Sequence, residues 1–354
     1  MELKPDFEQA AARVEAFWAH DCIGRPALQV LARRAGREPP PDDADLLTRK
    51  TDVEHVVRRA EVGFQAVHYL AEAVPVYIPG LVCSDMAAFL SEDITIMEDT
   101  VWYHPQIEDW GSFSWRFDPD NRWWRMTKEM AQRAAQRAQG RYLVGLPDFQ
   151  VAIDIVSLLR SPERLCLDLI ENPVAVQRAT RFIMDVYATC YREIRSILGP
   201  PDTWVGDWMG LFAPGDHDIV QCDFCALISP RHFAEFCLPD IRQQCQMLER
   251  SIFHLDGPDA VKHLDALLEI PELDAIQWVP GAGKPPALGW LPLLRRVQAA
   301  RKSLYVTSPP EDVGALVEAL APQGLMISVE GTFPSKEEGE QFIRRVERLC
   351  AGRC

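Results

Sequence analysis

Ser251-Ile252-Phe253-His254-Leu255-Asp256-Gly257-Pro258 reads as a β-strand that stops at a turn and hands the chain to a helix. Side chains alternate across a strand, so His254 and Asp256 face the same way. The run breaks at Gly257-Pro258, and a helical pattern follows from Ala260 to Ile270, the layout of a βα unit. Chemistry in such folds sits where strands end. His254 and Asp256 are therefore the first candidate site residues.

Working outward, strand-like runs at Thr203–Trp208, Val220–Cys225, Ser251–Asp256, Ala275–Pro280, Ser303–Ser308 and Leu325–Glu330 alternate with amphipathic stretches. These stretches are Arg231–Glu249, Ala260–Ile270, Leu288–Ala300, Glu311–Leu320 and Glu337–Cys350. Such alternation implies a parallel sheet with crossover helices. Ser229-Pro230, Ser308-Pro309-Pro310-Glu311 and Ser335 with Glu338 mark helix starts by cap and capping-box spacing. With Pro75–Ile78 and Arg141–Gly145 as early strands, the count approaches about eight. The expectation is a single α/β domain over residues 1–354: a (β/α)8 TIM barrel with an N-terminal helical extension and a long Trp-rich loop. An open doubly wound sheet is the other architecture. It would normally carry a glycine-rich phosphate loop, and Gly281-Ala-Gly283-Lys284 lacks the spacing of one.

The balance of 37 Lys and Arg against 52 Asp and Glu leaves a net charge of −15, which argues against a nucleic-acid or anionic-membrane partner. No apolar run reaches spanning length, and Met-Glu-Leu-Lys-Pro-Asp lacks the plan of a signal peptide, so a cytoplasmic location is expected. The ten cysteines are spread without a small-domain disulfide framework and read mostly as buried small hydrophobes. Cys222-Asp-Phe-Cys225 spells C-x-x-C, but its apolar flanks predict an extended segment rather than the helix start a redox pair needs.

Extending the strand-end rule gathers Asp207, Asp223, His254, Asp256, Gln277, Trp278 and Glu330 at one mouth. Singly, Asp207 and Asp223 read equally as loop caps, Gln277 as a backbone partner, Glu330 before Gly331 as a turn carboxylate and His254 as a satisfied core histidine. Together they suit either a divalent metal held by imidazole and carboxylates, or metal-free acid/base work by crowded carboxylates. Trp102, Trp110, Trp115, Trp123 and Trp124 crowd the segment 98–125, which reads as a lid or as an insertion packed on the barrel. With Trp208, Trp278 and Trp290 near strand ends, an aromatic pocket for a flat ring or a quaternary ammonium is compatible with the pattern.

Ile228-Ser-Pro-Arg-His-Phe-Ala-Glu-Phe-Cys-Leu-Pro-Asp-Ile241 resembles the Ser-Pro-x-x-Phe-x-x-Phe-x-x-Pro segment of the uroporphyrinogen decarboxylase superfamily. Phe253-His-Leu-Asp-Gly257 is similar to the His-x-Cys-Gly run of its corrinoid-linked methyltransferases. The resemblance covers Thr203 to the C-terminus best and implies a (β/α)8 barrel. Ala32-Arg-Arg-Ala-Gly-Arg37 and Cys83-Ser84-Asp85 are similar to substrate-holding segments of the decarboxylases, which implies substrate-facing roles for Arg33, Arg37 and Asp85. The chain departs from the decarboxylases at Pro147-Asp-Phe, which has no tyrosine, and at Val329-Glu-Gly331. It departs from the methyltransferases in having Asp256 for their first Cys and no cysteine between Cys245 and Cys350.

The resemblance implies a methyltransferase or demethylase component acting on a small molecule. Its metal, zinc or another divalent ion, would be held by His254, Asp256 and Glu330 with water completing the shell. Glu330 doubles as a candidate general acid/base, and Asp223 and Asp207 as candidate catalytic groups. Asp207, Asp223 and Gln277 are expected to orient substrate, with Trp208 and Trp278 as further substrate contacts. The chain lacks an Asp-x-His-x-x-Gly corrinoid motif, so a methylcorrinoid would come on a partner carrier protein, or a small methyl donor would replace it. A homodimer is the candidate assembly. Two alternatives stand beside this reading. One is a metal-independent decarboxylase or lyase with Arg33 and Arg37 as carboxylate clamps, and the other a non-catalytic corrinoid or small-molecule binding protein.

Overall fold

Short runs of apolar and β-branched residues between turn residues set the strands. In chain order these are β1 Ala27–Arg33, β2 Val67–Ala71, β3 Val76–Tyr77, β4 Ile94–Ile96, β5 Val101–Tyr103, β6 Leu143–Val144, β7 Trp204–Gly206, β8 Phe212–Pro214, β9 His217–Gln221, β10 Arg250–Asp256, β11 Ala275–Val279, β12 Ser303–Ser308 and β13 Leu325–Val329. They come from a computed structural model that describes residues 1–81, 83–150 and 152–354.

Seven strands form one sheet in the order β2-β1-β13-β12-β11-β10-β9, parallel throughout except for β2 against β1. β3 pairs in parallel with β6, β7 and β8 form an antiparallel pair, and Gly145 after β6 makes a parallel bridge to Gly206 of β7. Bare backbone is required there. A Cβ on Gly145 would meet the Gly206 carbonyl oxygen at 2.8 Å, and one on Gly206 would meet Val76 Cγ1 at 2.5 Å. Parallel neighbours need long crossovers, and helices fill those connections, which gives a mixed α/β fold with a parallel-rich central sheet.

Strands β10 to β13 fall where the sequence pattern puts them, whereas the strand expected at Thr203–Trp208 is Trp204–Gly206 and pairs antiparallel with β8 outside the seven-stranded sheet. The strand expected at Val220–Cys225 ends at Gln221, and a 3-10 turn, Asp223–Leu227, begins with Cys222 at its N-cap. The C-x-x-C pair therefore stands at a helix start and not on an extended segment. The helix expected over Arg231–Glu249 is two, Pro230–Phe236 and Leu238–Met247. Pro239 explains the break, since it has no N–H to donate and its ring crowds the preceding turn. Ser335 caps its helix by accepting from the Glu338 N–H, as expected, whereas Ser308 ends β12 and the next helix starts from Asp312.

Two apolar layers enclose the sheet. Phe253, Leu255, Trp278, Leu304, Val306 and Ile327 belong to the large cluster beneath the helices. The N-terminal helix Phe7–Trp18 closes the other end, packing Phe7, Val14 and Phe17 with Ala27, Ile219, Ile252, Ala275 and Met326 at the strand starts. Each large side chain buried there contributes about 1.5–3 kcal/mol. Hydrogen bonds from Trp18 to the Phe212 carbonyl and from Ser303 to the Phe17 carbonyl fix the helix on the sheet.

The tryptophans of segment 98–125 divide. Trp123 and Trp124 are buried at the start of the helix Arg122–Ala138, Trp115 packs against Phe113 and Phe182, and Arg160 lies over the Trp110 ring. Trp102, on the β4–β5 hairpin, is 63% exposed. The cysteines also depart in part from expectation. Cys22 and Cys354 form a disulfide, whereas Cys190, Cys222, Cys225, Cys237, Cys245 and Cys350 are free and buried. Among the described residues no helix is long and apolar enough to cross a membrane.

Candidate functional site

Parallel register places one polar row across the middle of the sheet. Gln221 of β9, His254 of β10 and Gln277 of β11 are direct neighbours, and the row beneath them is Ile219, Ile252 and Ala275. Along β10 the face carrying Ile252, His254 and Asp256 runs from fully buried through half-buried to exposed. This is the gradient expected of a strand that climbs from a packed floor to an open end. Phe253 and Leu255 on the opposite face are both fully buried, which locks the register that presents His254 and Asp256.

Asp223, His254 and Asp256 converge, each with a ligand-grade atom within 4.8 Å of the others. Asp223 reaches the group because β9 stops and the 3-10 turn swings it over the strand ends. Asp154 fixes that turn by accepting the N–H groups of Asp223 and Phe224 at 2.9 and 2.8 Å. Trp208 forms a wall, its ring edge-on to the His254 imidazole at 5.3 Å.

Three glutamines each hold one titratable group. The Gln277 side-chain carbonyl accepts from Nδ1 of His254, which leaves Nε2 as the nitrogen with a free lone pair. Gln221 donates to Asp148, and Gln150 donates to Asp223 Oδ2 at 3.1 Å. The Ser84 N–H also faces Asp148, at 3.4 Å, and the Ser84 hydroxyl donates to Gln150 Oε1 at 2.6 Å.

Burial dominates the electrostatics. It pushes the Asp148 carboxyl up to about 6 against the hydrogen bonds from Gln221 and Ser84, with the Asp223 charge adding to the rise. Asp154 is pushed up to about 8 by burial and by Asp223. Asp223 itself is raised, by burial first and then by Asp256, with His254 opposing. Asp223 is exposed to solvent on the turn, at the open end of the strands. Crowded carboxylates around a lone imidazole form a donor set of oxygen and nitrogen that suits a hard or borderline divalent cation.

The other expected residues lie elsewhere. Glu330 is exposed after β13, three strands from β10, and is not part of the cluster. Asp207 is buried in the turn between β7 and β8, accepting from Met209 and Leu211, and burial raises its carboxyl well above the usual range. Trp278 points to the opposite face from Gln277 and packs in the core against Trp290, because neighbours on a strand alternate. Arg33 and Arg37 are exposed at and beyond the end of β1, and Arg37 lines a recess of about 190 Å³ with Glu61, Arg141 and Tyr142. Asp85 is buried behind Asp148, accepts the Leu81 N–H at 2.7 Å and is pushed up to about 8 by burial. Gly80 makes room for it, since a Cβ there would sit 2.1 Å from the Asp85 carboxylate.

Asp148, Gln150, Asp154 and Gln221 were not anticipated. A signal existed for the first two, because Asp148-Phe-Gln150 follows the early strand at Arg141–Gly145, and the strand-end rule applied there would have reached them.

No protein-family model and no curated protein sequence matches the chain. Among solved structures, a methyltransferase from Methanosarcina mazei is similar, with a TM-score of 0.61 over 97% of this chain and 99% of that one, at 12% sequence identity. At that identity the likeness is one of fold, and it extends over nearly the whole length of both chains.

Proposed function

We propose that the chain is a metal-dependent methyl-transfer enzyme acting on a small molecule, with the parallel sheet closed as the (β/α)8 barrel of the uroporphyrinogen decarboxylase superfamily. The methyl group would be exchanged with a corrinoid carried by a partner protein or with a small methyl donor. The observation that carries this reading is the convergence of Asp223, His254 and Asp256 at the strand ends. The similarity of the whole chain to a structure named a methyltransferase supports it as well.

In this reading His254 offers Nε2, and Asp223 and Asp256 offer carboxylate oxygens, in place of the expected set that included Glu330. A divalent ion bound there would act as a Lewis acid, lowering the pKa of a coordinated nucleophile. Gln277 fixes the tautomer of His254, Asp154 fixes the backbone that carries Asp223, and Trp208 shields one side from water. Asp148, with its carboxyl near 6, is suited to take the proton that a nucleophile gives up near neutrality.

The test joins binding to chemistry. Protein freed of metal by chelator is titrated with Mn²⁺ and Zn²⁺ by calorimetry, and then incubated with methylcobalamin and a panel of thiols and amines while the corrinoid spectrum is followed. One ion per chain, lost in His254→Ala, together with metal-dependent demethylation, supports the proposal. A wild-type chain that binds neither ion sinks the metal site. Binding without any demethylation across the panel overturns the corrinoid route.

A further inference from the structure

We propose that Ser84 and Gln150 form an orienting arm for Asp223, so that Gln150 is a positioning residue of the candidate metal site. The inference rests on the reading of Asp223, His254 and Asp256 as ligands and deepens it.

The backbone supplies the first argument. Ser84 and Gln150 both carry a side chain at positive φ, 54° and 57°, a conformation that crowds Cβ against the backbone and favours glycine. Two such residues are in direct contact, through the Ser84 hydroxyl and Gln150 Oε1. Unfavourable backbone of this kind persists where the surroundings hold it in place, and it gathers at functional sites. Glycine would relieve both positions and would remove both side chains.

The direction of the hydrogen bonds points to the same role. A glutamine amide has a donor end and an acceptor end. Ser84 donates to the acceptor end, so the donor end is turned to Asp223 Oδ2. The arm thus occupies one oxygen of the Asp223 carboxylate and leaves the other for an ion. It is not needed to hold the loop, because Asp154 already takes the backbone N–H groups of Asp223 and Phe224. Asp154 places the backbone, and Gln150 sets the rotation of the carboxylate. Partners of this type behind a metal ligand typically carry a 10- to 100-fold share of affinity.

The fold and the arm can be tested apart. Gln150→Gly removes the amide and relieves the left-handed backbone, so its melting temperature should equal or exceed that of the wild type. Its affinity for Mn²⁺, measured by calorimetry on the full chain, should fall about tenfold. Gln150→Asn tolerates the same backbone but is one methylene shorter, and it should show the same loss. If both variants are folded and bind Mn²⁺ like the wild type, the arm is overturned while the metal site stands. If the wild type binds no Mn²⁺, the site falls and the arm falls with it.

Discussion

Gln277 lies directly across from His254 in the parallel register, and its side-chain carbonyl accepts the proton on Nδ1 of that imidazole. The two residues are 23 positions apart in sequence and adjacent on the sheet, so the tautomer of His254 is set by the strand pairing itself. Gln277→Leu keeps the volume and removes the acceptor. We expect it to weaken Mn²⁺ or Zn²⁺ binding by 10- to 100-fold, the range for removing a partner behind a ligating histidine. Calorimetric titration of the chelator-treated protein measures this, and an unchanged affinity would mean that Nδ1 does not need its partner.

Asp223 and Glu330 give opposite expectations. Asp223 belongs to the cluster with His254 and Asp256, while Glu330 stands exposed three strands away. Asp223→Asn should abolish stoichiometric ion binding, because an amide oxygen brings no charge to a divalent cation. Glu330→Gln should leave binding within about twofold of wild type, as expected of a surface change away from the site. Elemental analysis after dialysis reads both variants, and loss of metal in Glu330→Gln would restore the ligand set read from sequence.

How far this site was legible in sequence follows from strand length. β10 is seven residues long and alternates Phe253 and Leu255 with His254 and Asp256, and that pattern places His254 and Asp256 together without a structure. β6 is only two residues long, too short to show a period, and Asp148 and Gln150 lie just past it. Asp223 was found for the wrong local reason, since it sits on a 3-10 turn and not on a strand. Glu330 obeys the strand-end rule, yet the rule says nothing of distance around the sheet, and strand order alone separates it from His254. β1 and β2 are hard to read in sequence because β1 is a nearly continuous apolar run that shows no alternation, and β2 is largely half-buried, so its pattern is weak.

Asp85 makes stability depend on pH. Its carboxyl is pushed up to about 8 by burial, against about 3.9 in an unfolded chain. Between those values the folded protein keeps the proton that the unfolded chain has released, so this group's contribution is full below about pH 4. It is lost as pH rises through about 8. Asp148 and Asp154, raised to about 6 and about 8, act with the same sign. Asp85→Asn cannot ionise and still accepts the Leu81 N–H. Urea unfolding should find the wild type less stable at pH 9 than at pH 5, and the variant more stable than wild type at pH 9 by about 1–3 kcal/mol. A variant whose stability tracks wild type at both pH values would place the charged form of Asp85 in the fold.

Cys22 and Cys354 tie the segment after the N-terminal helix to the last residue of the chain, enclosing almost the whole sequence in one loop. A cross-link stabilises by restricting the unfolded chain, and the benefit grows slowly with loop length, to a ceiling of about 5 kcal/mol. The segment it fastens is short: after the helix ending at Leu349, Arg353 donates to the carbonyls of Val317 and Leu320. Those bonds hold the terminus to the fold without the disulfide. We therefore expect Cys354→Ser to lower the melting temperature by a few degrees under oxidising conditions and not at all in excess dithiothreitol, where the wild type should melt with the variant. Equal melting of the two proteins without reductant, with free-thiol titration giving ten thiols in the wild type, would show that the pair remains reduced. The C-terminal segment would then be held by the bonds of Arg353 to Val317 and Leu320, without a link to Cys22.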